Sequence, residues 1–224
     1  MSLKNKHNPA EANWLHHIKA TFTSHILLKI VGFTLFISLF FIAYFHVLKH
    51  PAYPITLIPL SFVDNLISFQ PIALPLYLSL WVYVGIPLVL MASKRELFEF
   101  TTAISLMCIT GLAIFYYWPT TIAPANIDWR LHPSVSFLKS IDAAGNACPS
   151  LHVASAFFSG IWTARLLKHF KAPHWTRALN VIWGAGIIYS TLATRQHVAL
   201  DVLGGLILGY IAILLVSITY WRRG

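Results

Sequence analysis

Long apolar runs alternate with shorter polar stretches along the whole chain. Runs of roughly 20 residues, the length that a helix needs to cross about 30 Å of hydrocarbon, recur six times. They cover residues 26–48, 72–92, 98–117, 151–167, 178–194 and 198–220. This pattern predicts an all-α, polytopic membrane protein with six transmembrane helices.

The composition agrees with this pattern. Hydrophobic residues make up 57% of the chain and charged residues only 10%, and the mean hydropathy is +0.67. Such values exclude an ordinary water-soluble globular protein. Since no internal repeat or low-complexity tract is visible, we interpret residues 1–224 as a single integral membrane domain. It would comprise a polar segment of about 1–25 and a six-helix core over 26–220.

The first apolar run is expected to remain in the protein. It is too long for the apolar region of a cleaved signal peptide, and a polar segment that contains Lys4, Lys6 and Lys19 precedes it. We therefore expect this run to anchor the chain in the membrane.

The distribution of basic residues predicts the orientation of the helices. Twelve of the 16 lysines and arginines fall on one side of the six-span arrangement, although the loops on the other side are longer. By the positive-inside rule both termini are cytoplasmic. The same rule explains the net charge of +9, so no nucleic-acid partner is needed. With so few residues outside the membrane, we expect a bacterial inner (plasma) membrane protein.

The non-cytoplasmic side would carry residues 50–71, residues 118–150 and a short turn at 195–197. A loop as long as the second is more often functional than a simple connector. Cys108 lies inside the third apolar run and Cys148 in this loop, so no intrachain disulfide is expected.

The first motif whose residues could take part in a reaction is Pro149-Ser150-Leu151-His152. Ser150 is a good N-cap for the helix that begins at Leu151, so unpaired backbone amides and the positive end of a helix dipole meet there. Such a helix start can bind an anion. His152, in the first turn, could donate a proton to a departing oxygen. The alternative is an ordinary serine-capped helix with an interfacial histidine.

The second motif is His197-Val198-Ala199-Leu200-Asp201. His197 and Asp201 are four residues apart, so they share one face of a helix. A carboxylate there can accept the Nδ1 proton and leave Nε2 as a nucleophile. An acid so close to the membrane core is usually functional. The alternative is a polar pair that stabilises helix packing.

Two arginines are candidates for binding phosphate oxygens. Arg195 lies two residues before His197 and offers a planar, bidentate group. Arg130 is a second candidate. Either could instead extend to the interface as a solvated or headgroup-bound charge. Gly205 and Gly209 form a Gly-x-x-x-Gly step that we interpret as a close helix contact.

These two motifs, about 45 residues apart, resemble signature motifs of the type 2 phosphatidic acid phosphatase (PAP2) superfamily. The resemblance covers roughly residue 118 to the C-terminus. It implies a six-helix bundle that removes phosphate from a lipid phosphate or lipid diphosphate on the extracytoplasmic face, without metal or other cofactor.

The resemblance also implies roles for individual residues. His197 would attack phosphorus and form a phosphohistidine, Asp201 would orient it, and His152 would protonate the leaving alkoxide. Ser150 and neighbouring amides would hold the nonbridging oxygens.

The chain departs from the family pattern at three places. Leu151 replaces the glycine of Pro-Ser-Gly-His, Thr191 replaces the arginine of Ser-Arg, and residues 118–124 lack the lysine and arginine of the first motif. Because phosphoryl transfer normally needs preorganised cations, Arg195, Arg130 or Lys139 would have to replace those that are missing.

Three other functions remain open. The remodelled motifs are similar to those of the inositol-phosphorylceramide and sphingomyelin synthase branch, in which an alcohol accepts the phosphoryl group; we favour hydrolysis because it is commoner across the superfamily. The histidines could instead bind haem or copper in an electron carrier. Finally, the chain could bind lipid without catalysis.

Overall fold

The computed structural model describes residues 9–141 and 145–219, which are mostly helical. The long helices, which form the body of the molecule, are α1 (Pro9–Thr23), α2 (Ile26–Lys49), α7 (Lys94–Tyr117), α9 (Leu151–His169), α10 (His174–Ala193) and α11 (Ala199–Thr219). Five of them occupy apolar runs expected to span the membrane. Helix α1 lies in the polar segment, for which no helix was predicted, and it packs against α6 (Ile86–Leu90).

The run predicted as one helix over 72–92 is divided. A 3₁₀ turn (Pro71–Ala73) leads into α4 (Leu74–Leu78), α5 (Leu80–Tyr83) and α6. Pro75 and Pro87 lie in the first turns of α4 and α6, where proline is tolerated because an amide there needs no helical partner. The segments still follow one path, since the amide of Ser79 donates to the Pro75 carbonyl at 3.0 Å.

Four helical segments of the described chain are long and apolar enough to cross a membrane: Ile26–Lys49, Pro71–Leu90, Lys94–Tyr117 and Ala199–Ser217. The runs predicted at 151–167 and 178–194 do form helices, α9 and α10, but these are not among the four. Helix α9 packs against α5, α6, α7, α10 and α11. Because it contacts protein on several sides, it can carry Ser159 and Thr163 inside the bundle.

The loops that follow α2 and α7 contain short elements. Strands β1 (Thr56–Ile58) and β2 (Thr120–Ile122) pair in parallel and join the two long loops. Helix α3 (Phe62–Leu66) follows β1, and a 3₁₀ turn (Trp129–Leu131) and α8 (Pro133–Ile141) follow β2. This strand pair was not anticipated in the all-α prediction.

Helices α9 and α11 cross very closely at their N-terminal ends. A Cβ atom added to Gly205 would collide with the carbonyl oxygen of Ser150 and lie 3.0 Å from the Cβ of Val153. A Cβ added to Gly209 would lie 3.0 Å from the carbonyl oxygen of Ala154. The two glycines therefore let α11 approach α9 near the start of both histidine motifs. This agrees with the predicted close helix contact at Gly205 and Gly209.

We expect Gly205→Ala to destabilise the protein by about 1–3 kcal/mol, because the added methyl group forces α9 and α11 apart. Thermal unfolding in detergent measures this change. Gly32→Ala is the matched control, since an added Cβ there meets nothing within 4 Å and alanine favours a helix. Equal midpoints for the two variants would contradict close packing at Gly205.

Candidate active site

His197 and Asp201 form a buried pair at the start of α11. The Nδ1 atom of His197 lies 3.1 Å from Oδ2 of Asp201, and the Asp201 side chain is fully buried. The other carboxylate oxygen, Oδ1, accepts a hydrogen bond from the Val198 amide at 2.9 Å. With its proton on Nδ1, the ring carries its lone pair on Nε2. The predicted contact is therefore present, but His197 lies two residues before α11 and not on the helix face that the spacing predicted.

A tight turn after α10 holds His197 in place. The carbonyl of Thr191 accepts hydrogen bonds from the amides of both Gln196 and His197 at 3.1 Å. The Thr191 hydroxyl donates a hydrogen bond to the Ile188 carbonyl at 2.7 Å. Thr191 occupies the position of the arginine in the Ser-Arg motif that the chain resembles. Its carbonyl stabilises the turn, and its hydroxyl hydrogen-bonds within α10.

Ser150 links the two motifs directly. Its hydroxyl oxygen accepts a hydrogen bond from the Val153 amide at 3.2 Å, as expected of an N-cap. Its own amide donates to the Asp201 carbonyl at 3.0 Å. The start of α9 is therefore attached to the first turn of α11, which brings the two predicted sites together.

His152 lies beside Tyr77, and the two rings stack with centroids 4.0 Å apart. The His152 ring also hydrogen-bonds to the backbone of Tyr77. Its buried Nε2 has no hydrogen-bond partner among the described residues. His152 and His197 line the same cavity.

The side chain of Leu151 packs against α7 at a glycine. A Cβ added to Gly111 of α7 would lie only 2.5 Å from Cδ2 of Leu151, so the absence of a side chain at Gly111 creates the pocket for this leucine. The bulk that Leu151 brings to the motif is accommodated by α7.

The shared cavity is large and mostly apolar. Its volume is about 450 Å³, and α2 lines it from Leu28 to Phe45, which corresponds to roughly 25 Å along the helix. The other walls come from α4 to α7 and α9, with His152 and His197 among the lining residues. A long apolar group with a polar end fits this shape.

A second cavity, of about 240 Å³, also has His197 in its wall. It is lined mainly by polar groups and by the segment around β2. Lys139 is the cation that lines it, among the described residues, and its Nζ lies 4.9 Å from the centroid of the Trp129 ring. Of the three replacements considered for the missing cations, Lys139 is the one that shares a cavity with His197.

The two arginines expected to bind phosphate lie elsewhere. The guanidinium of Arg195 donates to the carbonyls of Asp64 at 2.9 Å and Ile67 at 2.7 Å. Arg130 is 91% exposed and pairs with Asp128 at 3.1 Å, which holds the pKa of that carboxyl below its usual value. Neither arginine lines either cavity. Because the guanidinium of Arg195 hydrogen-bonds to these carbonyls, we infer that it supports the turn between α10 and α11.

We expect Arg195→Lys to lower the unfolding midpoint by a few degrees, because a single ammonium group does not reproduce two hydrogen bonds from a planar fork. KM for substrate should change less than twofold. Arg130→Lys, at an exposed ion pair with Asp128, is the control. A tenfold rise in KM without loss of stability would restore Arg195 as a substrate ligand.

Cys148 lies next to the site but is not a competing nucleophile. Burial, and to a lesser degree the charge of Asp201, raises the pKa of its thiol to about 11. The thiol therefore stays protonated near neutral pH, and the thiolate is the reactive form. Cys108 and Cys148 are both free cysteines.

Sequence reasoning missed Asp64, which supports the His197 turn from α3. Its Oδ1 accepts the Ala199 amide at 2.8 Å, and its Oδ2 accepts the amide and hydroxyl of Ser61 at 2.7 Å. Asp64 thus caps α3 and the start of α11 together. The Ser61-x-x-Asp64 spacing is a capping-box signature and could have revealed the first of these roles.

Comparisons with known proteins identify the family of the chain. No curated protein and no solved structure matches the chain. The family model of the PAP2 superfamily matches residues 100–224. This region is more than half of the chain and contains both histidine motifs together with α9, α10 and α11. The chain belongs to the PAP2 superfamily.

Proposed function

We propose that this protein is a membrane lipid phosphatase that works through a phosphohistidine on His197. The observation that carries the proposal is the His197–Asp201 pair, at 3.1 Å, in a cavity whose wall also includes His152. PAP2 superfamily members are typically phosphatases, and the geometry of these residues supports the same chemistry here.

In the first step, Nε2 of His197 attacks phosphorus and the bond from phosphorus to the lipid oxygen breaks. Asp201 accepts the Nδ1 hydrogen bond and stabilises the positive charge that develops on the ring. His152, whose imidazolium form the bound phosphate anion would stabilise, gives its Nε2 proton to the leaving alkoxide. The lipid alcohol departs and the phosphoryl group remains on His197.

In the second step, His152 accepts a proton from water, whose oxygen attacks the phosphorus atom. The bond between phosphorus and Nε2 breaks, its electron pair returns to the ring, and orthophosphate leaves. The first amides of α9 beside Ser150 and the ammonium of Lys139 would offset the negative charge of the phosphoryl group. We propose that no metal ion takes part.

The apolar cavity supports a lipid as the substrate. It continues from the two histidines along much of α2, so a lipid tail could lie in it while a phosphate or diphosphate headgroup lies at the histidines. Burial of the tail would supply binding energy.

For the membrane arrangement we propose six spans, with α9 and α10 added to the four apolar segments, and both termini in the cytoplasm. The basic residues support this orientation. The start of α9 and the start of α11 would then face the extracytoplasmic side, and with them the site. A bacterial inner membrane remains our proposed location.

A second function, transfer of the phosphoryl group to an alcohol, is favoured by the polar cavity at His197. It requires the same phosphohistidine, and only the acceptor differs.

A panel assay tests these functions. Detergent-purified protein in chelator is incubated with lipid phosphates and diphosphates, with and without added alcohols. We expect release of orthophosphate from at least one lipid, and a new phosphate ester would identify transfer. No product across the panel would favour a lipid-binding protein without catalysis.

A further inference from the structure

The polar cavity at His197 contains two buried amide side chains. Gln196 and Asn146 both line it, and each residue is only 6% exposed. Neither belongs to the motifs that carry the phosphohistidine chemistry, so the reaction proposed above leaves their roles open.

Each of these amides has a polar atom without a partner. The Nε2 atom of Gln196 and the Oδ1 atom of Asn146 have no hydrogen-bond partner among the described residues. The Nδ2 atom of Asn146 donates to the Tyr44 carbonyl at 3.4 Å, which fixes the amide and leaves Oδ1 as an acceptor. Buried polar atoms are nearly always hydrogen-bonded, so both atoms are expected to bond to a group that enters the space around them.

The chemistry of the two atoms restricts the identity of that group. Nε2 of Gln196 needs an acceptor, whereas Oδ1 of Asn146 needs a donor. A fully deprotonated phosphoryl group on His197 offers acceptors alone and a lipid tail offers neither. Hydroxyl groups both donate and accept, so a group with several hydroxyls can satisfy both amides in the same cavity.

We propose that the polar cavity binds a hydroxyl-bearing group, a polyol or a sugar, beside the phosphoryl group on His197. This inference rests on the proposed function and specifies its substrate class. The hydroxyl-bearing group has two possible sources: the headgroup of the lipid substrate, or a free polyol that accepts the phosphoryl group.

If the source is a free acceptor, the reaction replaces water by the polyol. A hydroxyl oxygen attacks phosphorus, its proton passes to His152, and the bond between phosphorus and Nε2 of His197 breaks with its electron pair returning to the ring. The product is a polyol phosphate.

Binding can be measured without turnover. Thermal unfolding of the detergent-purified protein is followed against the concentration of glycerol 1-phosphate or inorganic phosphate. We expect glycerol 1-phosphate to bind at least tenfold more tightly. Gln196→Met and Asn146→Leu, which keep side-chain bulk and remove hydrogen bonding, should each weaken its binding about tenfold.

Matched controls remove amides outside the cavity. Gln70→Met deletes a hydrogen bond to Tyr189, and Asn65→Leu deletes one to the Ser61 carbonyl. Both controls should bind glycerol 1-phosphate as the unmodified protein does. Equal binding of glycerol 1-phosphate and inorganic phosphate by the unmodified protein would overturn the inference.

Two activity measurements distinguish the sources. With phosphatidate as donor, saturable formation of glycerol phosphate or inositol phosphate, lost in the two cavity variants, identifies a free acceptor. A preference for phosphatidylglycerol phosphate over phosphatidate, lost in the same variants, identifies the headgroup. Turnover without either result contradicts the inference. Absence of orthophosphate from every lipid contradicts the proposed function instead, and the binding measurement still decides what the cavity holds.

Discussion

His197→Gln is expected to abolish turnover and the covalent phosphoenzyme together. Glutamine keeps a polar side chain of similar reach, but its amide nitrogen has no lone pair available for attack on phosphorus. Since a covalent route depends entirely on its nucleophile, we expect the rate to fall by at least about 10⁴-fold. Rapid acid quench of the protein with ³²P-labelled lipid phosphate measures the phosphoenzyme, and orthophosphate release measures turnover.

The control for this variant is His50→Gln. His50 lies at the end of α2, is exposed, and its Nδ1 contacts the His46 carbonyl. Its replacement should leave both measurements unchanged. Labelled intermediate that survives in the His197→Gln protein would refute the assignment of His197 as the nucleophile.

Most of the helices could be predicted from the sequence, because the bilayer requires long apolar runs and each run is visible by itself. The run at 72–92 shows the limit of this reasoning. Its hydropathy predicts one helix, but Pro75 and Pro87 divide it into short pieces that follow one path. Hydropathy measures whether a segment can enter a membrane, whereas the local breaks depend on backbone chemistry.

Helix α9 shows a second limit. A helix enclosed by other helices need not be apolar, so its composition does not separate a span from a buried helix. The six-span arrangement is therefore a proposal that rests on charge distribution and motif sidedness.

The chemistry of the site was more predictable than its supports. His197 and Asp201 are only four residues apart, so a local contact between them was predictable, although His197 lies just before α11. Arg195 was expected at phosphate because of its charge and position, yet the carbonyls that it contacts lie in α3 and directly after it, 131 and 128 residues earlier in the chain. Contacts of that separation depend on how the loops fold, and no local pattern records them.

A contact between residues far apart in sequence also explains how Leu151 is accommodated in the first histidine motif. Leu151 looked like an obstruction beside the anion site when only its neighbours in sequence were known. Gly111, on another helix, provides the space it needs. A departure from a family pattern can thus be compensated at a position that the motif does not include.

Asp201→Asn is expected to slow the reaction by about 10²–10⁴-fold with little change in KM, as loss of the orienting carboxylate does in hydrolytic triads. Both carboxylate oxygens of Asp201 accept hydrogen bonds, from Nδ1 of His197 and from the Val198 amide. Asparagine has only one accepting oxygen. If that oxygen stays on the Val198 amide, the NH₂ group faces His197, and the ring then carries its proton on Nε2, where the lone pair is needed.

The opposite orientation of the asparagine places its NH₂ group against the Val198 N–H, which disrupts the start of α11. Either orientation impairs attack more than substrate binding, so we expect the loss in kcat. Steady-state kinetics separates kcat from KM, and the rate of phosphoenzyme formation should fall in parallel with kcat. Asp128→Asn, at the exposed pair with Arg130, is the control and should keep full activity. A kcat within threefold of the unmodified protein, in a variant that unfolds at the same temperature, would remove Asp201 from the mechanism.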